Sequence, residues 1–234
     1  MHCKAQGSRT LCPCHPFCLD DRRDALVAFK EALKVKSTSL KMWQNLLWTA
    51  LDVPSDTDAL FACRQMADLM KDPNDTTFLD LDALRHLTET LLCAFKEAPD
   101  DRTATHRMQQ MDAILRTFTA TFSHLDGLHR LLARIAAVQQ DQKEAIEHLF
   151  AAYRAALKTF PDWAISAEPF AHVADIVSQA ATCCDALDEA TRPFYGSKIR
   201  LLLRTLLKRS EASLADTAAY QTLSARLHES DAST

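Results

Sequence analysis

Leu40–Leu69, LKMWQNLLWTALDVPSDTDALFACRQMADL, decides the fold. Trp43 opens an apolar ladder in which Leu46 stands at +3, Leu47 at +4 and Ala50 at +7. Those offsets keep side chains on one face of a helix. After the turn signal Pro54-Ser55 the ladder resumes with Ala59 at +16, Cys63 at +20 and Met66 at +23. The stretch therefore reads as two antiparallel helices joined at Pro54-Ser55. Ala59 is small where the second helix has to cross close to the first, and the bulkier Cys63 and Met66 follow a turn apart.

The same spacing recurs. Counting back 34 residues from Ala59, Cys63 and Met66 reaches Ala25, Phe29 and Ala32 in DDRRDALVAFKEALKV, the second helix of an earlier unit. His129, Leu132, Ala133, Ala136, Ala145, Leu149 and Ala152 repeat the offsets of the Trp43 ladder, with His129 a poor substitute for the aromatic ring. A period of 34 residues with large-small alternation across two helices marks a tetratricopeptide unit. The predicted fold is all-α: a tetratricopeptide-type solenoid of helical hairpins forming a right-handed superhelical arc of about ten helices. An inserted helical pair and C-terminal capping helices complete it.

Composition agrees. With 3 Gly and 47% hydrophobic residues in 234, and long runs of Ala, Leu, Lys, Arg and Glu, the chain favours helix throughout. A net charge of −4 argues against a general nucleic-acid binder, which usually carries a basic surplus. No uninterrupted apolar segment is long enough to span a bilayer, and the N-terminal segment lacks a secretory apolar core because Arg9, Pro13, His15 and Pro16 interrupt it. A soluble cytoplasmic or nuclear protein is expected, with no membrane partner and no cofactor. Of the eight cysteines, Cys63, Cys93 and the Cys183-Cys184 pair read as small hydrophobes on helix faces. Cys3, Cys12, Cys14 and Cys18 crowd the first segment with His2 and His15, but without the separated C-x-x-C pairs of a zinc module, so no metal site is predicted.

Three regions follow: a disordered or non-native segment at 1–19, the solenoid at 20–229 and a frayed tail at 230–234. Asp20-Asp21 are expected to open the first helix, with Ser39 capping the next and Ser55 or Asp56 the one after. Nothing upstream of Asp20 supplies a first helix for the Ala25 unit, so the chain is expected to start in mid-repeat, as a truncated product. Leu26, Phe29 and Leu33 should then be exposed at that end. Thr77–Ala98, and a second helix from Thr103 or Thr105 to Phe122, do not keep the repeat offsets and read as the inserted pair. Further helices are predicted at Glu168–Leu187, Tyr195–Arg209 and Leu214–His228.

The run ALVAFKEALKVKSTSLKMWQNLLWTALDVPSDTDAL, with the Met66–Leu69 helix end, resembles the C-terminal part of the tetratricopeptide repeat protein 27 family. DGLHRLLARIAA, LFAAYRAALKTFPDWA with Trp163, and IRLLLRTLLKRSE are similar to later segments of that family in the same order. The resemblance departs at Met1–Leu19. It implies a non-catalytic helical scaffold associated with chaperone-linked assembly of large complexes, spliceosomal ribonucleoprotein among them.

No catalytic residue stands out, since H-E-x-x-H, G-x-x-x-x-G-K and G-x-S-x-G are all missing. In a repeat array the first helix of each unit lines the concave surface. The candidate partner-binding residues are accordingly Lys41, Gln44, Asn45, Trp48 and Asp52 from one unit and Arg130 and Arg134 from another. Asn45 suits a carboxylate clamp for a peptide tail, but Gly127 and Leu131 stand where its cations belong. Arg200, Arg204 and Lys208 form a basic stripe, a candidate site for RNA or an acidic partner. The leading reading is a protein-binding scaffold; the alternatives are a helical enzyme with an unrecognised site and a binder acting through that stripe.

Overall fold

The structure, a computed structural model, describes residues 16–210 and 212–232. The expected cysteine-rich segment around Cys3, Cys12 and Cys14, with His2 and His15, lies outside the described residues, as does the side chain of Cys18. Among the described residues there are ten α-helices and no strand: α1 (Pro16–Val35), α2 (Leu40–Asp52), α3 (Asp56–Leu69), α4 (Leu81–Glu97), α5 (Arg102–Thr121), α6 (Asp126–Val138), α7 (Gln142–Thr159), α8 (Ala167–Asp185), α9 (Arg192–Arg209) and α10 (Ala218–Ala232). Each helix packs on its neighbours in the chain, and next-but-one pairs such as α2 with α4 and α4 with α6 also touch. This is the layered packing of a tetratricopeptide-type array, in which each hairpin buries its apolar faces only against adjacent ones.

The ladder is the reason. Trp43 is 4% exposed and Ala50, Ala59 and Cys63 are fully buried, so the two helices meet at the small positions as their spacing requires. The Trp43 ring sits edge-on to Phe61 with centroids 5.5 Å apart, and its Nε1–H donates to the Ser37 carbonyl at 2.7 Å. The α2–α3 turn closes with Ser55 N–H donating to the Ala50 carbonyl at 2.8 Å. The corresponding α6–α7 turn closes with Asp141 N–H on the Ala136 carbonyl at 2.9 Å, with Gln140 between them in the left-handed region at φ 64°.

The correspondence runs past the two hairpins. His129 stands 86 residues after Trp43, and at the same displacement Lys30 of α1 matches Arg116 of α5, and Asp58 matches Glu144. Lys30 Nζ meets Asp58 at 2.5 Å and Arg116 Nη2 meets Glu144 at 2.6 Å, so both blocks tie the preceding helix to the second helix of the hairpin in one way. The inserted pair α4–α5 stands between these blocks. In α5, Met111, Leu115 and Phe118 are buried 34 residues ahead of Ala145, Leu149 and Ala152, but Met111 and Phe118 stand where the later unit has alanines. The α4–α5 pair is also longer: Leu84 to Ala104 spans 20 residues where Trp43 to Ala59 spans 16.

Several local expectations change. α1 already includes Pro16–Leu19, so Asp20-Asp21 lie within the helix and do not open it. Leu26 and Leu33 are buried against α2 and Phe29 packs on the same core, so that side is covered; Val27 and Val35 are the exposed large residues of α1. Ser39 and Ser55 precede their helices without a side-chain cap, and the Ser55 hydroxyl donates to Asp58 instead. Side-chain caps come from three aspartates, Asp80 accepting from Ala83 N–H, Asp101 from Thr103 N–H and Asp141 from Glu144 N–H, and at α10 from the Thr217 hydroxyl, which accepts from Tyr220 N–H. Cys93 is exposed, whereas Cys63 is fully buried and desolvation pushes its thiol up to about 12. At the far end α10 runs to Ala232, past the expected helix end at His228 and into the expected frayed tail.

Candidate functional site

A groove of about 700 Å³ runs across α4, α6 and α8, the first helices of three successive hairpins. α6 forms its floor. Gly127, Ala133 and Ala137 keep that floor low, and Leu131 and Leu149 make it apolar. At Gly127 the space is tight, since a Cβ there would come within 3.2 Å of Leu81 Cδ1 at the α4 start and that side chain would have to shift.

Charged side chains tie the three helices across this floor. Arg134 of α6 donates to Glu89 of α4 at 2.6 Å. Arg130, one turn earlier, pairs with Asp175 of α8, whose carboxylate also accepts from Gln179 at 2.8 Å. Asp126, a further turn back, meets His172 Nε2 at 2.7 Å, and the His172 ring rests 5.1 Å from Phe160. Asp126, Arg130 and Arg134 recur every four residues, which places them in one row along α6. The groove therefore offers an apolar base crossed by ion pairs that link α6 to α4 on one side and to α8 on the other.

Of the residues singled out by sequence, Arg130 and Arg134 lie in this groove and the five from α2 do not line it. Lys41 and Asp52 are exposed, and Asp52 lies 3.9 Å from Arg22 of α1. Gln44 donates its amide to the Phe78 carbonyl at 3.4 Å, because the loop between α3 and α4 runs beside α2. Asn45 is half-buried, and Trp48 packs on the first core. Sequence reasoning does not reach Glu89, Asp175 or His172. Their signal is tertiary, since each partner lies 45 or 46 residues away in the chain.

The basic stripe lies along α9 beside α10. Arg200 is half-buried and donates to the Ser230 carbonyl at 3.3 Å, Arg204 pairs with Asp231 of α10 at 2.9 Å while staying 61% exposed, and Lys208 is exposed. Among the described residues no three His, Cys, Asp or Glu side chains form a metal-binding group, and no helix is long and apolar enough to cross a membrane.

No protein-family model matches this chain, and no curated protein matches it. Among solved structures it is similar to two crystal structures of MamA. One has a TM-score of 0.46 at 14% identity over 81% of this chain and 83% of that one. The other has a TM-score of 0.45 at 15% identity over 92% and 93%. TTC0263, a thermophilic TPR protein in Thermus thermophilus, gives a TM-score of 0.39 at 18% identity over 82% of this chain and 93% of that one. The fold assignment itself rests on the ladder, its 34-residue period and the packing of successive hairpins.

Proposed function

We propose that this protein is a non-catalytic scaffold that holds a segment of another protein in the groove over α4, α6 and α8. The observation that carries the reading is the combination of a low apolar floor on α6 with the Glu89–Arg134, Arg130–Asp175 and Asp126–His172 ties on either side. The ties hold long side chains in fixed positions, so a partner meets a groove whose ordering cost is already met. Their carboxylates and guanidiniums keep unused lone pairs and N–H groups for a peptide backbone. The resemblance to the tetratricopeptide repeat protein 27 family suggests partners in chaperone-linked assembly of large complexes. On that reading Lys41, Gln44, Asn45, Trp48 and Asp52 serve a separate contact on α2.

The test is affinity capture with this chain and with an Arg130→Glu/Arg134→Glu variant, partners being identified by mass spectrometry. Loss of one set of proteins from the variant, with its helicity and melting temperature near the parent's, is the expected result. Identical sets from both chains would overturn the groove as the binding site.

A further inference from the structure

α9 differs from the other helices in charge. Its sequence, RPFYGSKIRLLLRTLLKR, carries Arg192, Lys198, Arg200, Arg204, Lys208 and Arg209 and no acidic residue, in a chain of net charge −4. Three of these cations turn back to the protein: Arg192 to the Leu187 carbonyl, Arg200 to Ser230 and Arg204 to Asp231. The inward face of α9 is Tyr195, Ile199, Leu203 and Leu206.

The outward face is not simply polar. Phe194 is 57% and Leu201 66% exposed, and with Lys198 and Lys208 they fall at offsets 0, +4, +7 and +14. At 3.6 residues per turn these positions form a straight row along the axis, about 21 Å long. The Lys198 ammonium lies 4.0 Å from the Phe194 ring centroid, where the face of the ring attracts it. Two apolar anchors seven residues apart with cations beside them match the row that one helix presents to another lying alongside it.

We infer that this outward row of α9 is a docking face for an acidic amphipathic helix of a partner protein. The apolar side of that helix covers Phe194 and Leu201, and its carboxylates meet Lys198 and Lys208. The α4–α6–α8 groove takes no part, and of the basic stripe only Lys208 does, so the face stands independently of the proposed groove.

The probe is a synthetic helical peptide with leucines in a heptad row and glutamates around them, titrated onto the full chain by fluorescence anisotropy. A second peptide carries lysines in place of the glutamates. The acidic peptide should bind, more weakly as salt is raised, and the basic one should not. Leu201→Ser and Lys198→Glu should each weaken binding about tenfold or more, equivalent to about 1.4 kcal/mol. Both positions are exposed, so melting temperatures should stay at the parent value. The Arg130→Glu/Arg134→Glu variant should bind the peptide as the parent does; a loss there would put the peptide in the groove and overturn the assignment. Equal binding of both peptides, indifference to both α9 substitutions, self-association through this row, or sedimentation with phosphatidylserine vesicles without peptide binding would each overturn it as well.

Discussion

The hairpins α2–α3 and α6–α7 put Trp43 and His129 in the same slot. Each ring donates to the carbonyl of a serine six residues earlier, Trp43 Nε1 to Ser37 at 2.7 Å and His129 Nε2 to Ser123 at 3.2 Å. The slot thus has one polar requirement, an N–H aimed at the preceding turn, and otherwise asks for volume. Indole meets both needs and packs on Phe61. Imidazole meets the first and packs 6.3 Å from the ring of His148, leaving His129 Nδ1 and His148 Nε2 buried with no hydrogen-bond partner among the described residues, although Glu144 lies 3.7 Å from His148 Nε2. The second block therefore keeps the geometry of the first and adds a titratable, incompletely satisfied pair.

The largest difference should come from deleting the two rings. Trp43→Ala should cost about 3–5 kcal/mol by chemical denaturation, as large aromatic truncations do, whereas His129→Ala removes less buried volume together with an orphaned nitrogen and should cost well under half as much. Equal losses would mean that the two slots are not equivalent in packing. Ala59→Leu and Ala145→Leu should each cost about 1–3 kcal/mol, because both sites are fully closed by the neighbouring helix. Tolerance at one of them would show that its helices cross at a looser distance.

Acid separates the blocks further. Burial holds both His129 and His148 below the usual imidazole range; Arg154 pushes His129 the same way while the Ser123 carbonyl and Asp126 oppose, and Arg116 and His129 lower His148 against Glu144 and Asp112. Neutral imidazoles are favoured in the fold, while the unfolded chain takes up protons as pH falls through about 6.5. Stability from this pair is therefore fully present above about pH 6.5 and is lost as pH drops toward the lowered folded values, at about 1.4 kcal/mol per unit of lowering. Thermal melts should fall from pH 7 to pH 5 in the parent and fall less in a His129→Trp/His148→Phe variant. A double variant as acid-sensitive as the parent would remove the pair as the cause.

The smallest effect belongs to the ties between helices. Lys30–Asp58 keeps one partner, and Arg116–Glu144 both, more than a third exposed, so double-mutant cycles should return only about 0.2–1 kcal/mol, declining with salt. Arg116 should sit at the upper end because it also donates to Asp112 at 2.7 Å, and those two carboxylates raise its already high pKa.

What can be read in advance follows the reach of each interaction. The ladder is legible because helix crossing fixes small and large residues at set offsets within one stretch. The α5 register is hidden because Met111 and Phe118 stand where the later unit has alanines and the α4–α5 pair is longer. Pro16 reads as a breaker in the sequence, but proline is tolerated in the first turn of a helix, and α1 includes it. Arg130 and Arg134 do stand on a first helix as their spacing implies; that Glu89 and Asp175 hold them depends on how three hairpins stack. Arg200 and Arg204 look exposed by periodicity, and that both find partners on α10 depends on how that helix returns along α9.

The shared helix α6 has a further consequence. Leu128, Leu131, Leu132 and Ile135 belong to the first core, while Ala133 belongs to the second. Arrays held by nearest neighbours lose their ends first, since a terminal unit has contacts on one side only. A helix that partitions two cores is then the last to be released. Native-state hydrogen exchange should be slowest at α6 and fastest toward α1 and α10, so a protease nibbling at this molecule would trim both flanks while the groove floor outlived them.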